Sequence, residues 1–174
     1  AIAYKNAGYG MPVLVARRRK IEQIIAELAI KPEDLEGITI TNARESKFNA
    51  TYTKYLYHRL QRSGHLQRDC ERMVHQDRNI FAACMVALGH ADTMVTGLTR
   101  NYHSALADVR RVIDTHPGAP VFGLTMIVVR GRTLFVADTA VHERPTADEV
   151  AHIAIESADM VRSIGHEPRV ALLS

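Results

Sequence analysis

The sequence predicts an α/β fold with a mixed, mostly parallel sheet covered by helices on both faces. Three observations predict it. Short apolar runs of strand type alternate with longer segments of helical spacing. Glycine and proline punctuate nearly every change from one to the other. One pair of β-rich runs closes on a short glycine turn, which adds an antiparallel hairpin to an otherwise parallel order.

Taken in order, Pro12–Ala16 is the first strand-type run. Ile21, Ile24, Ile25, Leu28 and Ala29 then repeat on one face of a helix over 20–30. A second strand is expected at Gly37–Thr41. Helix follows from about Lys47 to Leu88, broken at Ser63-Gly64, where glycine takes a left-handed cap conformation. Ala91–Gly97 reads as the third strand, and Tyr102–Asp114 as a helix with Leu106, Val109, Val112 and Ile113 facing inward. Runs 121–129 and 133–138 flank Arg130-Gly131-Arg132 as a hairpin. Thr146-Ala147-Asp148-Glu149 is a capping box, with Thr at the N-cap and Glu at N3. It opens a helix reaching about Gly165, faced by Val150, Ile153, Ala154, Val161 and Ile164. Arg169–Leu173 reads as a last strand. Ala1–Ala7 reads as the tail of a helix whose strand lies upstream, and no helix returns after Leu173. Residues 1–174 are therefore expected to form part of a domain, lacking its first strand and its C-terminal segment.

With 174 residues, 47% hydrophobic and 24% charged, the chain is expected to build a packed core. No apolar run approaches the roughly 20 residues that span a bilayer. The first residues lack the order of a signal peptide, so a cytoplasmic protein without a membrane partner is expected. Cys70 and Cys84 form no CxxC pair and read as reduced thiols. The net charge of +3 suits small anions and does not by itself call for nucleic acid. Arg17-Arg18-Arg19-Lys20 is the densest basic run. At a helix start it opposes the dipole, so it is expected to turn outward, with phosphate binding as the competing reading.

Gly8-Tyr9-Gly10 precedes a strand instead of following one, so it is a helix end and turn, not a dinucleotide fingerprint. Nine histidines form no ligand motif, and no metal site is expected. The most informative segment is Gly97–Ser104. It joins a strand end to a helix start, where free N–H groups and the positive end of the dipole meet a turn carrying Arg100. The competing reading is that Asn101 caps the helix and Arg100 is solvated. Ligands in open α/β sheets bind beyond the carboxyl ends of strands. Gly97, Thr99, Arg100 and Asn101 are the candidate contacts there, with Ser174 at the end of the last strand. Asp138 either orients a group or forms a turn with its own backbone.

Several stretches, in order, resemble one family: Asp69–Arg72, Ala91–Gly97, Leu134–Thr139, Pro145–Ala151 and Glu167–Ser174. They are similar to phosphate acetyl/butyryltransferases. Asn79–Gly89 and Thr99–Tyr102 resemble the transacetylase-like domain of bacterial hybrid NADP-dependent malic enzymes. The resemblance implies a two-lobed, three-layer α/β/α fold of the isocitrate/isopropylmalate-dehydrogenase-like (phosphotransacetylase) kind, and a homodimer through the second lobe. In that family arginines surround phosphate and thioester, and a Ser-Arg-Asp segment follows the final strand. This sequence departs there, with Leu60 and Ala107 at two arginine positions and the segment falling after Ser174. The resemblance thus implies a regulatory, oligomer-forming domain with no catalytic residue, no cofactor of its own, and acetyl-CoA or phosphate as ligand. NADP, Mg or Mn, and malate oxidation would belong to domains upstream of Ala1. An active phosphate acetyltransferase and a ligand-free dimerisation module are the alternatives.

Overall fold

The computed structural model describes residues 1–173, which divide into two compact units, one ending at Ile113 and one beginning at Asp114. The first contains α1 (Ile2–Asn6), β1 (Val13–Val15), α2 (Arg18–Glu27), β2 (Thr39–Thr41), α3 (Asn49–Leu60), α4 (Gln67–Gln76), α5 (Arg78–Ala87) and α6 (Tyr102–Arg110). The second contains β3 (Thr125–Val129), β4 (Arg132–Val136) and α7 (Ala147–Ser163).

β1 and β2 pair in parallel, Val13 opposite Thr39 and Val15 opposite Thr41. The ladder is extended by Thr39 N–H to the Pro12 carbonyl (3.1 Å) and Ala16 N–H to the Thr41 carbonyl (2.9 Å). α2 crosses between them, as a parallel connection requires. Its isoleucine face is only half-buried, and Leu28 is exposed.

The core of this unit lies among α3, α4 and α5. Tyr52, Leu56, Cys70, Val74, Ala83 and Cys84 are fully buried, with Phe81 edge-on to Tyr52 at 5.1 Å between centroids. Burying each large apolar side chain contributes about 1.5–3 kcal/mol. Both cysteines are free, and burial pushes the Cys84 thiol up to about 12, so it is unreactive at neutral pH. The long helical region breaks at Gly64 as expected: its φ of +83° lets His65 N–H reach back to the Leu60 carbonyl.

Two expected strands do not form. Ala91–Gly97 has no regular structure and makes no ladder, because no described residue lies alongside it as a strand; Met94 packs on the core while Val95 is 95% exposed. Arg169–Leu173 is likewise exposed and unpaired among the described residues. The α/β class with a parallel pair and a hairpin holds, but the described strands form two separate two-stranded sheets and not one continuous layer. α6 also ends four residues before Asp114, where Val112 and Ile113 N–H both turn back to the Val109 carbonyl.

In the second unit β3 and β4 form the expected antiparallel hairpin, Met126 opposite Phe135. The capping box on α7 is formed: Thr146 Oγ1 accepts from Glu149 N–H, and Glu149 accepts from Thr146 N–H at 2.7 Å. Ile153, Ala158 and Val161 are its buried residues, whereas Ile164 is 49% exposed. No helix among the described residues is long and apolar enough to cross a membrane.

Candidate functional site

The loop from Gly97 to Asn101 is held by side chains, not by a sheet. Leu98 takes φ +57°, and Thr99 N–H closes a tight turn on the Gly97 carbonyl at 2.6 Å. Asn101 caps α6, its Oδ1 accepting from Ser104 N–H at 2.8 Å. The amides of Arg100, Asn101, Tyr102 and His103 have no acceptor among the described residues, so a small set of donors remains at this helix start.

Arg100 is not free but ion-paired. Its Nη1 donates to Asp77 Oδ2 at 2.6 Å and to Asp108 Oδ2 at 2.5 Å. Asp108 is buried and also accepts from Asn79 Nδ2 (3.1 Å) and Arg111 Nη1 (2.9 Å). Asp77 caps α5 through Oδ1, which accepts from Asn79 and Ile80 N–H. Asn79 Oδ1 in turn accepts from Thr96 Oγ1 at 2.6 Å. The network therefore ties the loop to the start of α5 and the last turn of α6. The Asp77 hydrogen bond, ahead of the attraction of both carboxylates, holds the Arg100 guanidinium above its ordinary range despite partial burial. Two cations face two carboxylates, and Arg100 brings little free charge to a ligand.

The free charge lies beside it. A cleft of about 380 Å³ at the carboxyl ends of β1 and β2 is lined by Ala16, Arg17 and Lys20 from one strand end and helix start, and by Asn42, Ala43 and Arg44 from the other. His75, Gln76 and Arg78, at the α4–α5 junction, and Arg100 complete it. Among the described residues, Arg17, Lys20, Arg44 and Arg78 have no ion-pair or side-chain hydrogen-bond partner. Arg17 is the N-cap of α2 but supplies no capping side chain, so the dipole end of that helix is open at the same place. The basic run does turn outward, and it turns into a cleft.

Of the sequence-predicted contacts, Arg100 alone lines this cleft; Gly97, Thr99 and Asn101 build its neighbouring loop, and Ser174 lies outside the described residues. Arg44, His75 and Arg78 were not expected. The signal that pointed here was the cationic run placed directly after the first strand. Leu60 is half-buried against the core and Ala107 is exposed on α6, so neither position carries a cation. Arg111, next to Ala107 in the last turn, is paired with Asp108.

Asp138 takes the backbone role. Its side chain is 2% exposed and accepts from Gly123 N–H (2.8 Å), Ala140 N–H (2.9 Å), His142 N–H (2.8 Å) and His142 Nδ1 (2.7 Å). Burial alone would raise its pKa. The amides of Ala140 and Gly123 and both donors of His142 outweigh it and hold the carboxyl far below the usual range. Gly123 is required beside it, since a Cβ there would meet Thr139 Oγ1 at 2.9 Å. No group of three or more His, Cys, Asp or Glu among the described residues is placed to hold a metal.

The first unit pairs two parallel strands and gathers unpaired cations at their carboxyl ends, the place where open α/β folds take ligands. The comparisons place it further. The chain belongs to the phosphate acetyl/butaryl transferase family, which it matches over residues 1–174. It is 52% identical over 177 residues to an NADP-dependent malic enzyme of Rhizobium meliloti (strain 1021), covering 100% of this chain and 23% of that protein. It is 30% identical over 142 residues to a phosphate acetyltransferase of Helicobacter pylori (strain J99 / ATCC 700824), covering 81% of this chain and 27% of that one. The chain thus spans about a quarter of the length of these relatives. The EutD phosphotransacetylase from Staphylococcus aureus shares the fold, with a TM-score of 0.79 at 19% identity over 97% of this chain and 50% of that structure.

Proposed function

We propose that the chain is the transacetylase-like domain of an NADP-dependent malic enzyme and binds acetyl-CoA as an effector without turning it over. Malate oxidation, NADP and the divalent metal then belong to other parts of the same polypeptide. One observation carries the reading: four unpaired cations and an open helix start gather at the strand ends, so an anion is attracted there. Acyl transfer needs more. Charge developing on the reacting oxygens must be met by fixed donors, each worth roughly 10²–10³ in rate. Leu60 and Ala107 supply none, and Arg100 and Arg111 are already engaged by carboxylates.

Calorimetry of the full-length protein is expected to show acetyl-CoA binding, and malate kinetics to change with it. Unaltered kinetics, or no binding, would remove the effector role. Formation of acetyl phosphate from acetyl-CoA and phosphate at transferase rates would instead make this domain a working enzyme.

The same reading includes self-association through the second unit. Every residue of β3 is exposed, including Met126, Val128 and Val129, and Leu134 of β4 is 60% exposed. An apolar strand with a free edge suits a second copy of itself. Val128→Glu is expected to shift the full-length protein to a smaller species in sedimentation; an unchanged species would place the contact elsewhere.

A further inference from the structure

We infer that the cleft at the carboxyl ends of β1 and β2 recognises a diphosphate, of the nucleoside-diphosphate class, and reads neither a single phosphate nor an acyl group. This rests on the reading that the cleft is the domain's ligand site, and deepens it. The separation between paired and unpaired cations carries the inference. Arg100 and Arg111 face Asp77 and Asp108 at 2.5–2.9 Å, so that side of the site is electrically balanced. Arg17, Lys20, Arg44 and Arg78 line one hollow with no carboxylate among its lining residues. Four like charges around a cavity repel one another and weaken the unliganded fold. One phosphate, at about −1.5 to −2 charge, leaves that excess half-compensated. Two linked phosphates carry more charge and compensate most of it.

The geometry has the same sense. Arg17 and Lys20 stand at the start of α2, Arg44 stands just beyond β2, and Arg78 opens α5, so the cations reach the hollow from three separate elements. A ligand contacting all of them must extend across the cleft. At about 380 Å³ the cleft is near the lower end of small-molecule sites, which run roughly 300–1,000 Å³, so it holds a nucleotide-sized group, and the rest of a longer ligand would extend out of its open mouth. An adjoining hollow shares Arg17, Asn42 and Arg44 and adds Arg18 and Arg19. It also carries Glu22 and Glu45, which makes it the less suited of the two to an anion.

The test is titration calorimetry of the full-length protein with ADP, pyrophosphate, inorganic phosphate and acetyl phosphate. ADP and pyrophosphate are expected to bind at least about tenfold more tightly than either monophosphate, with the advantage shrinking as salt is raised. Arg44→Ala combined with Arg78→Ala is expected to weaken ADP at least about tenfold while thermal stability holds or rises, because two repelling charges have gone. Equal affinity for ADP and phosphate, or ADP binding untouched by the double variant, would overturn the inference. So would an oligonucleotide whose affinity grows with its length beyond that of ADP, since the surface would then be reading a polymer backbone. If ADP behaves as expected but acetyl-CoA neither competes with it nor alters malate kinetics, the diphosphate site stands and the effector reading fails. If acetyl-CoA controls the kinetics while ADP binds no more tightly than phosphate or is untouched by the double variant, the effector reading stands and this inference fails.

Discussion

Asp138→Ala is expected to destabilise the unit beginning at Asp114 by about 3–5 kcal/mol, a large part of the ~5–15 kcal/mol that holds a domain together. Its carboxylate gathers Gly123, Ala140, Val141 and His142 amides around one buried group. Alanine strands those donors, and no other described acceptor stands in. Hydrogen exchange should show the loss over residues 121–142, with denaturant titration giving its size; a cost under about 1 kcal/mol would mean water replaces the carboxylate freely. Asp138→Asn, which keeps an acceptor oxygen, is expected to recover part of the loss. The pH dependence follows from the same cage. The native pKa lies below the ordinary 3.8, so the unfolded chain binds the proton more readily. The Asp138 contribution is therefore complete above pH about 4 and drains away as pH falls toward the depressed native value. In the alanine variant this acid sensitivity should be weaker.

The second large effect is expected at Asp108. Asp108→Ala removes the common acceptor of Asn79, Arg100 and Arg111 and should cost about 2–4 kcal/mol. The arginine side chains are 36% and 44% exposed, so they regain water and their share is small. The buried Asn79 amide is what remains unpaired. The sign of a second readout separates this from general damage. With Asp108 gone, Arg100 has one carboxylate instead of two, so the adjoining cleft becomes more positive and pyrophosphate affinity should rise. A fall in affinity at preserved fold would mean that Asp108 positions the cleft and does not merely neutralise its edge.

These two carboxylates explain why the site was only partly legible in the sequence. Asn101 was readable as a cap because an N-cap acts within its own turn. Arg100 was readable as a cation at a strand-to-helix loop. Its partners were not, since Asp77 lies 23 residues away and Asp108 belongs to the next helix. For the same reason the neutralisation of Arg100, and the gathering of Arg44 and Arg78 beside the Arg17–Lys20 run, were invisible beforehand. Arg44 and Arg78 stand alone in sequence, with nothing local to mark them.

Local rules served well where the interaction was local. The Gly64 break, the hairpin about Gly131 and the Thr146–Glu149 box depend on backbone torsions and contacts within a few residues, and each formed where the residues required it. The Ala91–Gly97 run shows the limit. Its composition suits a strand, but a strand is completed by a neighbour's hydrogen bonds, and among the described residues it has none. By itself, then, the sequence determined the α/β class, the turns and caps, and the kinship with phosphate acetyl/butaryl transferases. Only the tertiary structure decided which cations are neutralised and which are left unpaired, because charge pairing depends on distance through space and not along the chain.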